Sequence, residues 1–360
     1  MIQHPRVVLI AEAGVNHNGS LERALAMVDA ATEARADVVK FQTFRAGEVI
    51  SRKAPKADYQ VAATGAAESQ LEMVRKLELT EADHRALLAR AKQRGITFLS
   101  TPFDLTSVRF LARELALPTI KIGSGEITNA PLLLEAARAQ SRIILSTGMS
   151  TLAEVAAALG VLAFGYTASA DARPGRDAFQ AAFASEAGKA ALRDHLSLLH
   201  CTTEYPAPAA EANLRAMATL KREFGLPVGL SDHSTGIHIA IAAVALGARI
   251  IEKHFTLDRG LPGPDHAASL EPAELAGLVK AVRSVEAALG DGVKRPTPSE
   301  SKNLPIARKS LVAAHAIRAG EPFSAANLTT KRPGNGRSPF DYWSVLGTKA
   351  QRAYEEDDVI

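Results

Sequence analysis

The sequence predicts an α/β chain in which eight parallel strands close into a (β/α)8 TIM barrel, followed by a small β-rich domain. Three observations carry that expectation. Short apolar runs rich in Val and Ile alternate with Ala/Leu/Glu/Arg stretches of helical period, the pattern of successive βα units. Eight such runs occur, each nearly continuous in apolar residues, as a parallel sheet covered on both faces requires. Near Pro296 the periodicity stops at a Pro/Ser-rich stretch, DGVKRPTPSESKNLP.

The runs fall at residues 7–13, 38–41, 96–99, 119–122, 142–145, 196–199, 227–230 and 250–252. An open doubly wound sheet would carry a Gly-rich phosphate turn after its first strand, and EAGVNHNGS does not match one. The segment ADARPGRDAFQAAFASEAGKAALRDH, before the sixth run, reads as a peripheral helical insertion without chemistry. The pattern therefore divides into a barrel over residues 1–290, a linker over 291–303 and a small domain over 304–360. In the last part, the alternating pieces RKSLVAAHAI, NLTTKRPGNG and VLGTKAQRAY are separated by Gly and Pro. About sixty residues is a marginal size for an independent core, so this domain is expected to dock on the barrel or on a second subunit.

Composition narrows the function. The chain has 360 residues and 38.1 kDa, with 47% hydrophobic and 22% charged residues, which are ordinary globular values. A net charge of +3, dispersed along the sequence, gives no reason to expect nucleic acid. A single cysteine, Cys201, rules out an intrachain disulfide and a thiolate zinc site. Without a base partner in view, Cys201 reads as a small buried residue. The start, MIQHPRVVLIAEAG, has an apolar run of five residues before Glu12, which suits a buried strand and not a secretion signal or membrane span. A cytoplasmic protein without a membrane partner is the expectation.

The ends of the runs carry the polar residues: AEAGVNHN, KFQTF, STPFD, KIGSGE, STGMS, HCTTEYP, LSDHS and EKHFT. In a barrel of this kind the loops after the strands build the active site. Glu12, Lys40, Lys121, His233, His254 and Asp265 are thus predicted to share one mouth. Two consecutive strands end in a histidine flanked by an acid or a base, SDH and EKH, where turn residues would be ordinary.

Nine motifs in order, AEAGVNHNGS, VVKFQTF, APKADYQ, IKIGSGE, ILSTGMST, GLSDHSTG, EKHFTLD, GPDHAASLEP and KRPGNGRSP, resemble the sialic acid synthase family. Within it the chain is similar to bacterial N-acetylneuraminate synthases and to legionaminic acid synthases. The resemblance runs from about Val7 to the C-terminus, with gaps mainly at the helical insertion. It implies a barrel followed by an antifreeze-like SAF domain, and a domain-swapped homodimer. It also implies a metal-dependent condensation of phosphoenolpyruvate with an N-acylated mannose-type sugar. N-acetylmannosamine giving N-acetylneuraminate is the first expectation. The alternative is the diacetamido-trideoxymannose that gives legionaminate.

The same resemblance distributes the roles. His233 and His254 are implied as metal ligands with Glu12 nearby, and Mn2+ is the expected ion, with Mg2+ or Co2+ compatible with these donors. Glu12 is placed to orient or deprotonate the water that attacks C2. Lys121, Ser124, Ser146 and Ser231 are implied for the phosphate, and Lys40 and Thr101 for the carboxylate. Thr203 stands where some members carry a phosphate-binding asparagine. Gln42, Tyr205 and Asp265 are implied for the sugar, and Arg332 for its N-acyl group. A Schiff-base aldolase built on Lys121 is the rival chemistry, but it leaves the histidines and hydroxyls without work. Nothing flat, Thr-rich or repetitive in the last sixty or so residues supports ice binding.

Overall fold

The computed structural model of the chain describes residues 6–56, 61, 65 and 67–360, so residues 57–60 of the APKADYQ motif lie outside the described set. The chain forms two compact units, Met1–Gly290 and Asp291–Ile360.

The first unit holds eight strands, one at each predicted run. They are β1 (Val8–Gly14), β2 (Val38–Thr43), β3 (Thr97–Pro102), β4 (Thr119–Ile122), β5 (Arg142–Ser146), β6 (Leu196–Cys201), β7 (Val228–Asp232) and β8 (Ile250–His254). All paired neighbours are parallel, in the order β3-β2-β1-β8-β7-β6-β5-β4. β3 and β4 lie side by side at the remaining seam, so the barrel is nearly closed.

A strand's period of two sorts its side chains between barrel interior and helical coat. Ile10, Val38, Leu99, Ile144, Leu199 and Ile250 form a separate apolar cluster that fills one layer of the interior. Two residues further along the same strands stand Glu12, Lys40, Thr101, Ser146, Cys201 and Glu252, nearly all polar and all buried. The residues that alternate with them along the strands, such as Ala11, Val39, Phe41, Leu145, Leu198 and Ile251, pack into the large outer core against the helices. Most strands run beyond the predicted apolar stretch at their C-terminal ends, because polar residues there occupy interior positions of the pleat.

Helix boundaries follow local chemistry. Leu21–Glu33 begins at Ser20, whose side chain accepts from the Arg23 amide, and it buries Ala24, Met27, Val28 and Ala31 at helical spacing. Glu81–Arg94 starts with a Thr80/Asp83 capping box and stops at Gly95, whose φ of 73° suits a left-handed cap. The expected insertion is helical: Arg176–Ala184 and Glu186–His195 pack on Leu152–Thr167, with Phe179 edge-on to Phe164 at 5.3 Å.

The second unit has a small core of Leu311, Ala313, Ile317, Phe323, Leu328, Val345 and Ala350. Its sheet is one antiparallel pair, β9 (Ser310–Ala313) with β10 (Leu328–Lys331), supplemented by isolated bridges such as Ile317 with Tyr354. The stretch read as a linker contains a helical turn, Pro298–Ser301, because Thr297 and Glu300 form a reciprocal capping box. No described helix is long and apolar enough to cross a membrane.

Candidate active site

The polar interior layer is a charge network. Lys40, at the centre of β2, lies 2.6 Å from Glu12 Oε2 on β1 and 3.6 Å from Glu252 Oε2 on β8. It also donates to Thr101 Oγ1 at 3.0 Å. Lys121 donates to Ser146 Oγ at 2.7 Å and stands 3.7 Å from Glu252 Oε1. Ser231 donates to the same Glu252 oxygen at 2.7 Å, and Gln42 Nε2 reaches Glu12 Oε1 at 3.5 Å. Two acids, two ammonium groups and three hydroxyls thus meet in one buried layer. Such a layer survives burial because each charge has a counter-charge and further hydrogen bonds.

The titration of the network is divided between its acids. Burial pushes Glu12 up to about 7, helped by the charge of Glu252 and opposed by Lys40. Burial also works against ionised Glu252, but Lys121, Lys40 and the Ser231 hydroxyl together hold it down at about 2. Glu252 is therefore the fixed anion and Glu12 the acid poised to gain or lose a proton near neutrality. Burial lowers the Lys121 pKa, with Glu252 restraining the fall. Lys40 resists its own burial because Glu12 and Glu252 hold it charged.

Above this layer stand the two histidines. Their rings are 5.4 Å apart at 64°, and the half-buried Tyr205 ring lies 4.2 Å from His233 and 5.5 Å from His254. His233 Nδ1–H donates to the Thr202 carbonyl at 2.6 Å, which leaves Nε2 as the bare nitrogen. His254 Nδ1 is buried and has no hydrogen-bond partner among the described residues. Burial brings His233 down to about 4 and His254 well below its ordinary value, so both are neutral near pH 7. A side chain on Gly14, whose φ is +52°, would stand 3.3 Å from Glu12 Oε1 and 3.4 Å from His254 Nδ1. Gly14 thus keeps the space between carboxylate and imidazole open.

These donors fit a divalent metal. A neutral imidazole fixed by a backbone carbonyl, and a second with an orphaned buried nitrogen, are the ligand states a metal needs. No group of three or more His, Cys, Asp or Glu among the described residues is spaced to hold an ion. The protein would thus offer such an ion two imidazoles, those of His233 and His254.

A third group lies at the ends of β4, β5 and β6. Ser124 Oγ accepts the Gly148 amide at 2.9 Å and contacts Cys201 Sγ at 3.0 Å. The buried Thr203 hydroxyl has no hydrogen-bond partner among the described residues. A side chain on Gly148 would come within 2.5 Å of Thr203 Oγ1, 2.7 Å of Cys201 Sγ and 2.8 Å of Ser124 Oγ, so only glycine fits where these polar atoms converge.

The structure thus gathers Glu12, Lys40, Gln42, Thr101, Lys121, Ser146, Ser231, His233, His254 and Tyr205 into connected contacts, with Ser124 and Thr203 around Gly148. Asp265 lies on the loop after β8, where the Ser269 hydroxyl donates to its backbone carbonyl at 2.7 Å. Burial alone pushes its carboxyl up to about 6, and no hydrogen bond joins that carboxyl to the network among the described residues. Arg332 belongs to the second unit, is exposed, and donates from Nε to the Ala307 carbonyl at 2.9 Å. Two participants escaped the sequence reading. Glu252 sits inside an apolar run, and its spacing of two before His254 was the available signal. Cys201 touches Ser124 instead of merely filling the core.

Fold and site define a barrel enzyme whose interior pairs buried lysines and hydroxyls, suited to a small anion, with two neutral imidazoles. Comparison with known proteins makes this specific. The NeuB family model matches residues 27–294, and the SAF domain model matches residues 308–360. The chain is 51% identical to the N,N'-diacetyllegionaminic acid synthase of Campylobacter jejuni, over 99% of each chain. It is 42% identical to the enzyme of the same name from Legionella pneumophila, over 95% of this chain and 89% of that one. The crystal structure of N-acetylneuraminic acid synthetase from Leptospira borgpetersenii, in complex with citrate, superposes with a TM-score of 0.68 and 34% identity, covering 84% and 90% of the two chains. The chain belongs to the NeuB family, the nonulosonic acid synthases, and it ends in a SAF domain.

Proposed function

We propose that this chain condenses phosphoenolpyruvate with 2,4-diacetamido-2,4,6-trideoxymannose and water, giving N,N'-diacetyllegionaminate and phosphate. The sequence reading put N-acetylmannosamine first. The relatives at 51% and 42% identity, both named for diacetyllegionaminic acid, favour the other sugar. The observation that carries the chemistry is the buried network in which Lys121 and Lys40 lie on either side of Glu252, next to Glu12.

In this reading Lys121, Ser146, Ser231 and Ser124 receive the phosphate, and the unpartnered Thr203 hydroxyl adds a donor. Lys40 and Thr101 receive the carboxylate. Gln42, Tyr205 and Asp265 hold the sugar, and Arg332 holds its N-acyl group. A divalent metal, Mn2+ first and Mg2+ or Co2+ next, would be held by His233 and His254 and would polarise the sugar aldehyde. Glu12 orients the attacking water and takes its proton as oxygen bonds to C2, a task suited to an acid near 7. Phosphate then leaves with the bridging oxygen by C–O cleavage.

The test is phosphate release from phosphoenolpyruvate with each sugar. The diacetamido sugar should exceed N-acetylmannosamine in kcat/KM by roughly 10–10²-fold, through contacts to its second amide. No phosphate with any mannose-type sugar overturns the reading, and preference for N-acetylmannosamine restores the other substrate. With ¹⁸O in the bridging position, the label should leave in phosphate.

A further inference from the structure

The flanking charges of SDH and EKH meet each other. Asp232 Oδ2 lies 2.9 Å from Lys253 Nζ, and the two residues are direct partners in the β7–β8 register. Both side chains are essentially buried, at 2% and 1% exposure. Alternation along the strands turns them away from the mouth that His233 and His254 face.

The pair also grips the residue after His233. Asp232 Oδ1 accepts from the Ser234 amide at 2.9 Å and from the Ser234 hydroxyl at 2.6 Å. Lys253 Nζ donates to the Ser234 carbonyl. The backbone at Ser234 is therefore held on its amide side by one charged group and on its carbonyl side by the other. His233 lies between Asp232 and Ser234, and its own carbonyl is held by the Ala207 amide at 2.9 Å. His254 directly follows Lys253, and its carbonyl accepts the Leu270 amide at 2.9 Å.

We infer that Asp232 and Lys253 are positioning residues that set the spacing of His233 and His254 as one unit, and so tune the affinity of the imidazole pair for a divalent cation. The inference rests on the histidines being metal ligands, as proposed above. Stability alone is a weak reason for this pair, because a buried ion pair replaced by apolar groups of similar volume is often neutral or stabilising. What an apolar pair cannot do is hold the Ser234 amide, hydroxyl and carbonyl at once. Groups that orient metal ligands typically change metal affinity 10–100-fold when altered.

The experiment uses the full chain, stripped of metal, with Mn2+ as the probe and water-proton relaxation as the readout. In D232N/K253M both charges leave together, so no buried ion is stranded and the side-chain shapes are nearly kept. The expected result is a folded chain with a Tm close to wild type and Mn2+ binding weakened roughly 10–100-fold. Wild-type Mn2+ affinity in that variant overturns the inference. If D232N/K253M does not fold, K253M alone decides, since it releases the Ser234 carbonyl while Asp232 keeps its two bonds from Ser234. Unchanged Mn2+ affinity there overturns the inference equally. A wild-type chain that binds no Mn2+ brings down the ligand assignment itself, a distinct outcome.

Discussion

The Lys121 ammonium stands 3.7 Å from the Glu252 carboxylate, whose other oxygen lies 3.6 Å from Lys40. One buried acid thus stands in for an anion between two buried cations. In the proposed reading, phosphoenolpyruvate would bring its own negative charge to the same lysines and partly take over the work of Glu252.

Glu252→Gln should reveal this exchange. Removing one partner of a buried ionic network costs about 3–5 kcal/mol, because the remaining charges are left uncompensated. The unliganded variant should melt well below wild type. Phosphoenolpyruvate should then raise its Tm by more than it raises that of wild type, since the ligand supplies the missing counter-charge. Calorimetry with and without phosphoenolpyruvate reads both quantities. An equal or smaller ligand shift in the variant would show that the lysines do not meet the substrate anion.

The histidine pair leads to a second expectation. Chelation should abolish turnover and Mn2+ should restore it. His233→Ala and His254→Ala should each lose activity by more than about 10²-fold while far-UV circular dichroism stays native, since each removes one of the two proposed protein ligands. Full turnover by a chelated, metal-free sample would falsify the metal assignment.

Asp265 gives a pH-dependent expectation with a definite sign. Burial raises its carboxyl from 3.8 to about 6, so between those values the folded chain binds a proton that the unfolded chain has released. Its stabilising contribution is complete below about pH 4 and is lost as pH rises through 6. Above that, folding must hold a buried carboxylate at a cost of about 3 kcal/mol. Asp265→Asn should therefore be more stable than wild type in urea at pH 8, with the gain shrinking toward pH 4. The same substitution should raise the KM for the sugar, where the carboxylate is proposed to accept hydroxyl donors. A variant less stable than wild type at both pH values contradicts the burial argument.

How much of this was legible in the sequence depends on range. Each strand could be read because its apolar run is local, and the mouth residues could be read because they lie near or just past the ends of those runs. Lys40, Lys121, His233 and His254 are of that kind. Glu252 was hidden inside the apolar run IIEKH; its spacing of two before His254 was the one local signal of its side, and the register with Ser231 bears that side out. The contact of Cys201 with Ser124 joins residues 77 apart in the chain, and no local pattern encodes it. The turn at Pro298–Ser301 was legible in principle, since Thr297 and Glu300 spell a capping box, but the surrounding prolines read as linker. Proline at the first helical position is compatible with a helix start.

Arg332 sets the last expectation, which joins the two units through function alone. We expect it to complete the site of a partner chain in a swapped homodimer. Glu12→Ala and Arg332→Ala should each be inactive. If the second unit works on the partner's barrel, a mixed dimer of the two variants has one site lacking both residues and one site intact. Random exchange of equal amounts makes about half the dimers mixed, so about one quarter of the sites recover. If the unit instead serves its own chain, every site keeps one defect and the mixture stays inactive. Subunit exchange verified by mass, followed by phosphate release, separates the two cases. Verified mixed dimers without recovered activity would rule out the swap and leave the barrel chemistry standing.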